Sequence, residues 1–283
     1  MFCTQGAGSH SLPVSWPETY GKMSRQTTVD NLWTQNIRPD GRSPTEMRQI
    51  KCSMGVFDKD KGGGGSAYFQ IGNTKAVATV YGPHEGRASQ KKVGAANQDK
   101  MTVNFEYSSA CFSTNDRKTS TKADRKSMEM SCRLKSIMDN VFVHHLSEGS
   151  QVDIYIELIQ DDGGAYAACI NAVTLACIDA GVPLQDFVVA CSATMAHGIP
   201  MIDISAAEKS TGMPELTLGI LSKSKEIVVM EQNNLLKLIY FSDVLNLALD
   251  GCQRMLQVLE ETCYHKFSLL QRVIEANLRR ERT

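Results

Sequence analysis

Val152, Ile154, Ile156 and Leu158 alternate with Asp153, Tyr155 and Glu157, the period-two pattern of a strand with one buried face. A double glycine at 163 and 164 follows, and then a run of small residues from Ala165 to Ala180 ahead of Gly181 and Pro183. This predicts a close-packed helix over 165–180 with a glycine stop. Upstream, 53–58 and 67–71 read as a hairpin around the glycine run at 62–65, with a further strand at 76–81. Residues 101–107 alternate as another strand, followed by a polar, basic stretch from 115 to 126. Residues 125–146 then predict an amphipathic helix whose apolar stripe is Met128, Cys132, Leu134, Ile137, Met138, Val141 and Phe142.

Beyond the small-residue helix, strands are expected at 187–194, 200–202, 215–221 and 226–231, the last two joined by a turn at Ser222-Lys223-Ser224-Lys225. A long helix closes the chain, with Ser242 or Asp243 as its expected cap. Its stripe is Leu245, Ala248, Leu249, Cys252, Met255, Leu256, Leu259, Cys263, Phe267, Leu270, Ile274 and Leu278, and it is expected to pack on the chain's own sheet. Strand runs with segregated helices give the α+β class. Residues 1–36, rich in Ser, Thr, Gln and Gly, read as a disordered extension. Residues 37–283 read as one domain.

Composition narrows the function. The 283 residues are 42% hydrophobic and 22% charged, with a net charge of −1, so affinity for nucleic acid has to come from local patches. No apolar run approaches the ~20 residues of a membrane span, and the first residues lack a secretory signal pattern. Nine cysteines are scattered without a CxxC pair or a zinc-like His spacing. Several sit in apolar runs, as Cys169, Cys177 and Cys191 do, and read as small buried hydrophobes of a reducing compartment.

Candidate chemistry centres on the start of the 165–180 helix. A helix N-terminus opening from glycines offers backbone N–H groups and a positive dipole end, which suits an anion. Yet Ala165 and Tyr166 supply neither positive charge nor a short hydroxyl. Elsewhere, the stretch from Asp116 to Lys126 carries five positive and two negative residues, a local surplus in a neutral chain.

Five stretches carry a family resemblance. Arg38-Pro39-Asp40-Gly41-Arg42 with Glu46-Met47-Arg48 resembles the R-x-D-G-R…E-x-R opening of RNase PH-like proteins. Ala67-Tyr68-Phe69-Gln70-Ile71-Gly72-Asn73-Thr74-Lys75, leading to Gly82-Pro83-His84-Glu85, is similar to the second block. Asp124-Arg125-Lys126-Ser127, Gln151-Val152-Asp153-Ile154-Tyr155 and the segment 163–183 complete the match, which runs from about Ile37 almost to the end. Within that family the chain most resembles the eukaryotic RNA exosome ring subunit that corresponds to the catalytic ring subunit of the archaeal exosome. The resemblance implies a ribosomal protein S5 domain 2-like α+β fold, the RNase PH fold, with mixed sheets. It also implies partners: other RNase PH-like ring subunits, S1/KH cap subunits, associated hydrolytic exoribonucleases and single-stranded RNA. Residence in nucleus, nucleolus and cytoplasm goes with it, and no cofactor is expected.

Active relatives phosphorolyse RNA from its 3′ end. They hold phosphate with a Ser or Thr followed by Arg, at positions that fall here on Ala165 and Tyr166. Their two aspartates, six positions apart, fall on His197 and Asp203. Imidazole is a poor ligand for Mg²⁺, though it can serve as a general acid. The resemblance therefore implies a non-catalytic ring subunit, with these four positions as vestiges of a site. The alternatives are a working phosphorolytic exoribonuclease and a free homohexameric tRNA-trimming enzyme. The resemblance assigns RNA gripping to Arg125 and Lys126, and channel facing to the loop with Arg87, Lys91 and Lys92. Arg117 and Lys118 belong to the same basic surplus.

Overall fold

The computed structural model describes residues 38–57, 64–85, 101–117, 124–143, 149–196 and 198–281. The expectations for residues 1–36 and for the glycine turn as far as Gly63 lie outside these. Strands β1 (Ile50–Met54), β2 (Gly65–Ile71), β3 (Thr74–Glu85), β4 (Thr102–Ser109) and β5 (Ser150–Gln160) form one sheet in the order β1-β2-β3-β5-β4. Every pair is antiparallel except β4 with β5, which run parallel. A parallel pair needs a crossover, and helix α1 (Arg125–Val141) lies in it. Strands β6 (Val188–Ala196), β7 (Ile199–Ile202), β8 (Glu215–Leu221) and β9 (Ile227–Asn233) form a second, antiparallel sheet ordered β7-β6-β8-β9.

Helix α2 (Ala165–Ala180) spans the residues its small-residue run predicts and is the centre of the core. It packs on β2 and β3 from one sheet and on β6 from the other. Being covered on both sides, it has little amphipathic character; Ala168, Cys169, Ile170, Ala172, Val173, Leu175, Ala176 and Cys177 are all buried. Each fully buried Val, Leu or Ile stabilises by about 1.5–3 kcal/mol relative to exposure. Small side chains let backbone approach backbone. A Cβ on Gly65 would sit 2.2 Å from the Ala180 nitrogen and 2.3 Å from the Ala176 oxygen. Asn171, one of three buried polar residues on the helix with Thr174 and Asp179, donates to the Ala190 carbonyl and accepts from the Ala190 N–H, both at 2.9 Å, which pins α2 to β6. Gly181, at φ +76, closes the helix as expected.

Five expectations need correction. β1 ends at Met54 because Gly55 turns to φ +71, so Val56 and Phe57 are exposed rather than in strand. α1 stops at Val141, where Phe142 becomes extended and bridges Leu184; residues 144–148 lie outside the description. Its buried side is Ser127, Leu134, Ile137, Met138 and Val141, while Met128 and Cys132 are exposed. At about 3.6 residues per turn those two fall on the opposite side of the helix from Leu134 and Val141. The last helix, α4 (Leu238–Glu281), begins before Ser242 and Asp243, which lie inside it. Its stripe is buried through Val244, Ala248, Cys252, Met255, Leu259 and Cys263 against β6, β7, β8 and β1. Phe267, Leu270, Ile274 and Leu278 are exposed, since the sheet beneath ends near Met54 and the helix continues past it.

Gly65→Ala tests the backbone approach. It is expected to cost at least about 1–3 kcal/mol by overpacking α2 against β2, measured as a lower urea midpoint with an unchanged slope.

Candidate functional site

Gly163 (φ +87) and Gly164 (φ +64) form the left-handed turn that launches α2, and a Cβ on Gly163 would meet the Ile204 oxygen at 2.3 Å. The turn is held from below. Thr74 Oγ1 donates to the Gly163 carbonyl at 2.7 Å, and Gly163 N–H donates to Asp161 Oδ1 at 3.1 Å. Arg48 donates to the carbonyls of Asp162 at 2.7 Å and Gly163 at 3.2 Å.

Asp203 is the counterion of that arginine. Its two oxygens accept from Arg48 Nη2 (2.7 Å) and Nε (2.8 Å), a bidentate pair, and Oδ2 also accepts the Arg48 backbone N–H at 2.9 Å. Arg42 adds a contact at 3.3 Å. Burial opposes the charged form of Arg48, but the bond and charge of Asp203, with Asp162 and Asp40 beyond, outweigh it and hold the guanidinium pKa up. Asp203 is 1% exposed, at φ +59. It is neither an open ligand nor a simple turn residue: it is the buried anchor of the turn. Beside it, Arg38 bonds both oxygens of Glu208 at 2.7 and 2.6 Å and donates to the Ile202 and Asp203 carbonyls, each at 2.6 Å. Glu208 completes a capping box with Ser205 on the short helix α3 (Ala206–Lys209).

In front of the turn is an open cavity of about 1080 Å³. Ala165 and Tyr166 line it, as do Arg117 and Lys126 of the predicted basic patch. The structure thus brings four sequence-predicted positions together. Asp203 is not among its walls; it stands behind Gly164. Arg125 is exposed at the start of α1 and does not line the cavity. His197, Arg87, Lys91, Lys92 and Lys118 lie outside the described residues.

Charge within the cavity nearly cancels. Arg117, Lys126, Arg133 and Lys209 face Asp124, Glu129, Asp161, Glu215 and Glu231. Arg133 pairs with Glu231 and with Glu129, and Lys209 pairs with Glu215 at 2.9 Å. Among the described residues, Arg117 and Lys126 have no ion-pair partner. Burial pushes the Tyr166 phenol up, against the nearby charge of Arg133, so its hydroxyl is neutral near pH 7. The buried thiols of Cys169, Cys177 and Cys191 are raised by burial as well and stay protonated. Among the described residues no three His, Cys, Asp or Glu side chains converge to hold a metal.

Sequence reasoning missed Arg38, Arg48 and Glu208 as a buried network, and missed Arg133 with Glu231. The two arginines had a signal, their spacing in a segment without apolar periodicity; Glu208, 170 positions from Arg38, had none. Arg133 and Glu231 had none, being 98 positions apart.

Comparison with known proteins decides the family. The model for domain 1 of the RNase PH 3′ exoribonuclease family matches residues 46–183. The exosome complex component RRP41 of Homo sapiens is 41% identical over 251 residues, covering 89% of this chain and 96% of its own. The chain belongs to the RNase PH family. An Arabidopsis thaliana relative, an RRP41 homolog, is 40% identical over 80% of the chain and 93% of its own length. The RRP41 exosome component of the archaeon Pyrobaculum arsenaticum is 31% identical over 83% and 93%. Among solved structures, the Archaeoglobus fulgidus exosome with RNA bound to the active site matches at TM-score 0.70 and 19% identity, covering 85% of this chain and 99% of that one. Rice Rrp46 matches at TM-score 0.69 and 20% identity, over 80% and 99%. These two show the RNase PH fold, as the resemblance implied.

Within this RNase PH domain, Asp203→Asn is expected to destabilise by about 3–5 kcal/mol, because it removes the bidentate counterion of buried Arg48 and leaves only the longer contact to Asp162 at 3.4 Å. Chemical denaturation of the two proteins at one pH measures the loss.

Proposed function

We propose that this chain is a non-catalytic ring subunit of an RNA exosome, a 3′-to-5′ RNA processing and degradation complex. In this reading it joins other RNase PH-like subunits in the ring and helps line a channel for single-stranded RNA. Cap subunits and hydrolytic exoribonucleases are its further partners. High identity to RRP41 exosome components over most of the chain supports ring membership.

The observation that carries the inert reading is the cavity wall at the start of α2. Phosphorolysis needs a cation on the attacking phosphate, and Ala165 and Tyr166 supply none. The loss of one preorganised donor costs roughly 10²–10³ in rate. Asp203 offers no rescue, since Arg48 takes both of its oxygens. Losses within one site do not multiply, because its parts act as a unit. A working phosphorolytic exoribonuclease is the second reading; it draws on the open cavity of about 1080 Å³ at the start of α2.

RNA holding is ascribed to Arg117 and Lys126 in the cavity and to exposed Arg125, the neighbour of Lys126 in the chain. Contacts of this kind track the backbone without reading sequence.

Two outcomes are expected. Incubated with single-stranded RNA, inorganic phosphate and Mg²⁺, alone and with its ring partner, the chain releases no nucleoside diphosphate; phosphate-dependent release would overturn the inert reading. Replacing Arg125 and Lys126 by Glu weakens RNA binding and flattens its log–log salt dependence by about 0.7 for each lost phosphate contact. Unchanged binding across a salt series would remove those two residues from the RNA path.

A further inference from the structure

A cation does stand near the altered cradle, but it is occupied. Arg133 projects from α1 into the cavity that Ala165 and Tyr166 line. Its Nη2 bonds Glu129 one turn earlier on the same helix, and its Nη1 bonds Glu231 on β9. The two carboxylates differ. The Glu129 side chain is 55% exposed, so its i,i+4 pair with Arg133 is screened and weak. The Glu231 side chain is 20% exposed and reaches the arginine from the opposite sheet. With Glu231 counted, the cavity wall carries one more acid than base.

We propose that Glu231 is the residue that closes this cavity to a phosphate oxyanion, by holding and neutralising Arg133. The guanidinium shares the cavity with the N-terminal turn of α2, whose first residues have no side-chain cap. Freed from Glu231, its Nη1 is released toward an ion on that turn, while Nη2 keeps its screened contact with Glu129. The altered cradle is then silenced twice: once by Ala165 and Tyr166, which bring no charge, and once by Glu231, which cancels the charge that Arg133 brings. This rests on the inert reading above and adds a specific residue to it.

The test is titration calorimetry of the full chain with inorganic phosphate. Wild type is compared with Glu231→Gln, Glu129→Gln, and Glu231→Gln combined with Arg133→Met, after thermal melts show that each folds. Glu231→Met stands in if the glutamine variant does not. Glu231→Gln is expected to tighten phosphate binding about tenfold or more, the scale of a regained hydrogen bond to a charged group, with strong salt dependence. Glu129→Gln changes it little, and Arg133→Met erases the gain. Equal phosphate affinity in wild type and Glu231→Gln, or a gain that survives Arg133→Met, overturns the inference. Phosphate-dependent release of nucleoside diphosphate by the wild type would instead sink the inert reading, so the two failures are distinct.

Discussion

The bond between Arg48 and Asp203 sets the geometry on which the site is built. One guanidinium satisfies both oxygens of a buried carboxylate and, with its remaining donors, holds the carbonyls of the turn that begins α2. Three distant parts of the chain meet there: the segment before β1, the glycine turn after β5, and the residue that follows β7. A buried ion pair is poor evidence of net stability, since a well-packed apolar replacement is often as good. Its contribution here is positional. It fixes where the first turn of α2 points, and the Arg38–Glu208 pair beside it holds α3 in place by the same logic.

That frame presents a cavity whose wall is nearly neutral. The fold still sets an uncapped helix start at the wall of a large cavity, a place suited to an anion. The wall itself carries acids in nearly equal number to bases, and two of the four cations are already paired. Asp203 serves as the buried anchor of the turn. A groove can keep its shape when its side chains change, because shape comes from backbone packing around α2 while reactivity comes from a few exposed groups. Arg117 and Lys126, which have no ion-pair partner among the described residues, suit contact with a polyanion.

Legibility followed the range of the interaction. The alternation along β5 and the small-residue run of α2 appear in the structure at the places their patterns indicate, because each pattern reflects burial repeated over neighbouring residues. The stripe of α1 was misphased by including Met128 and Cys132, apolar residues that sit on the exposed side. On α4 the stripe itself continues to Leu278, but its burial stops after Cys263; a sequence shows an apolar face and not the extent of the surface beneath it. The early start of α4 at Leu238 escaped notice because the polar residues at 242 and 243 resemble a cap wherever they occur.

Taken alone, the amino-acid sequence determined the α+β class, the central strand–turn–helix unit, and the lack of a cation at positions 165 and 166. These depend on residue type and on spacing within a few turns or strand repeats. The tertiary structure decided the rest: that Asp203 belongs to Arg48, 155 positions away, and that Arg133 belongs to Glu231, 98 positions away. Ion pairing falls off with distance in space and is indifferent to distance along the chain. Which charges meet is therefore known only once the sheets and helices have been brought together.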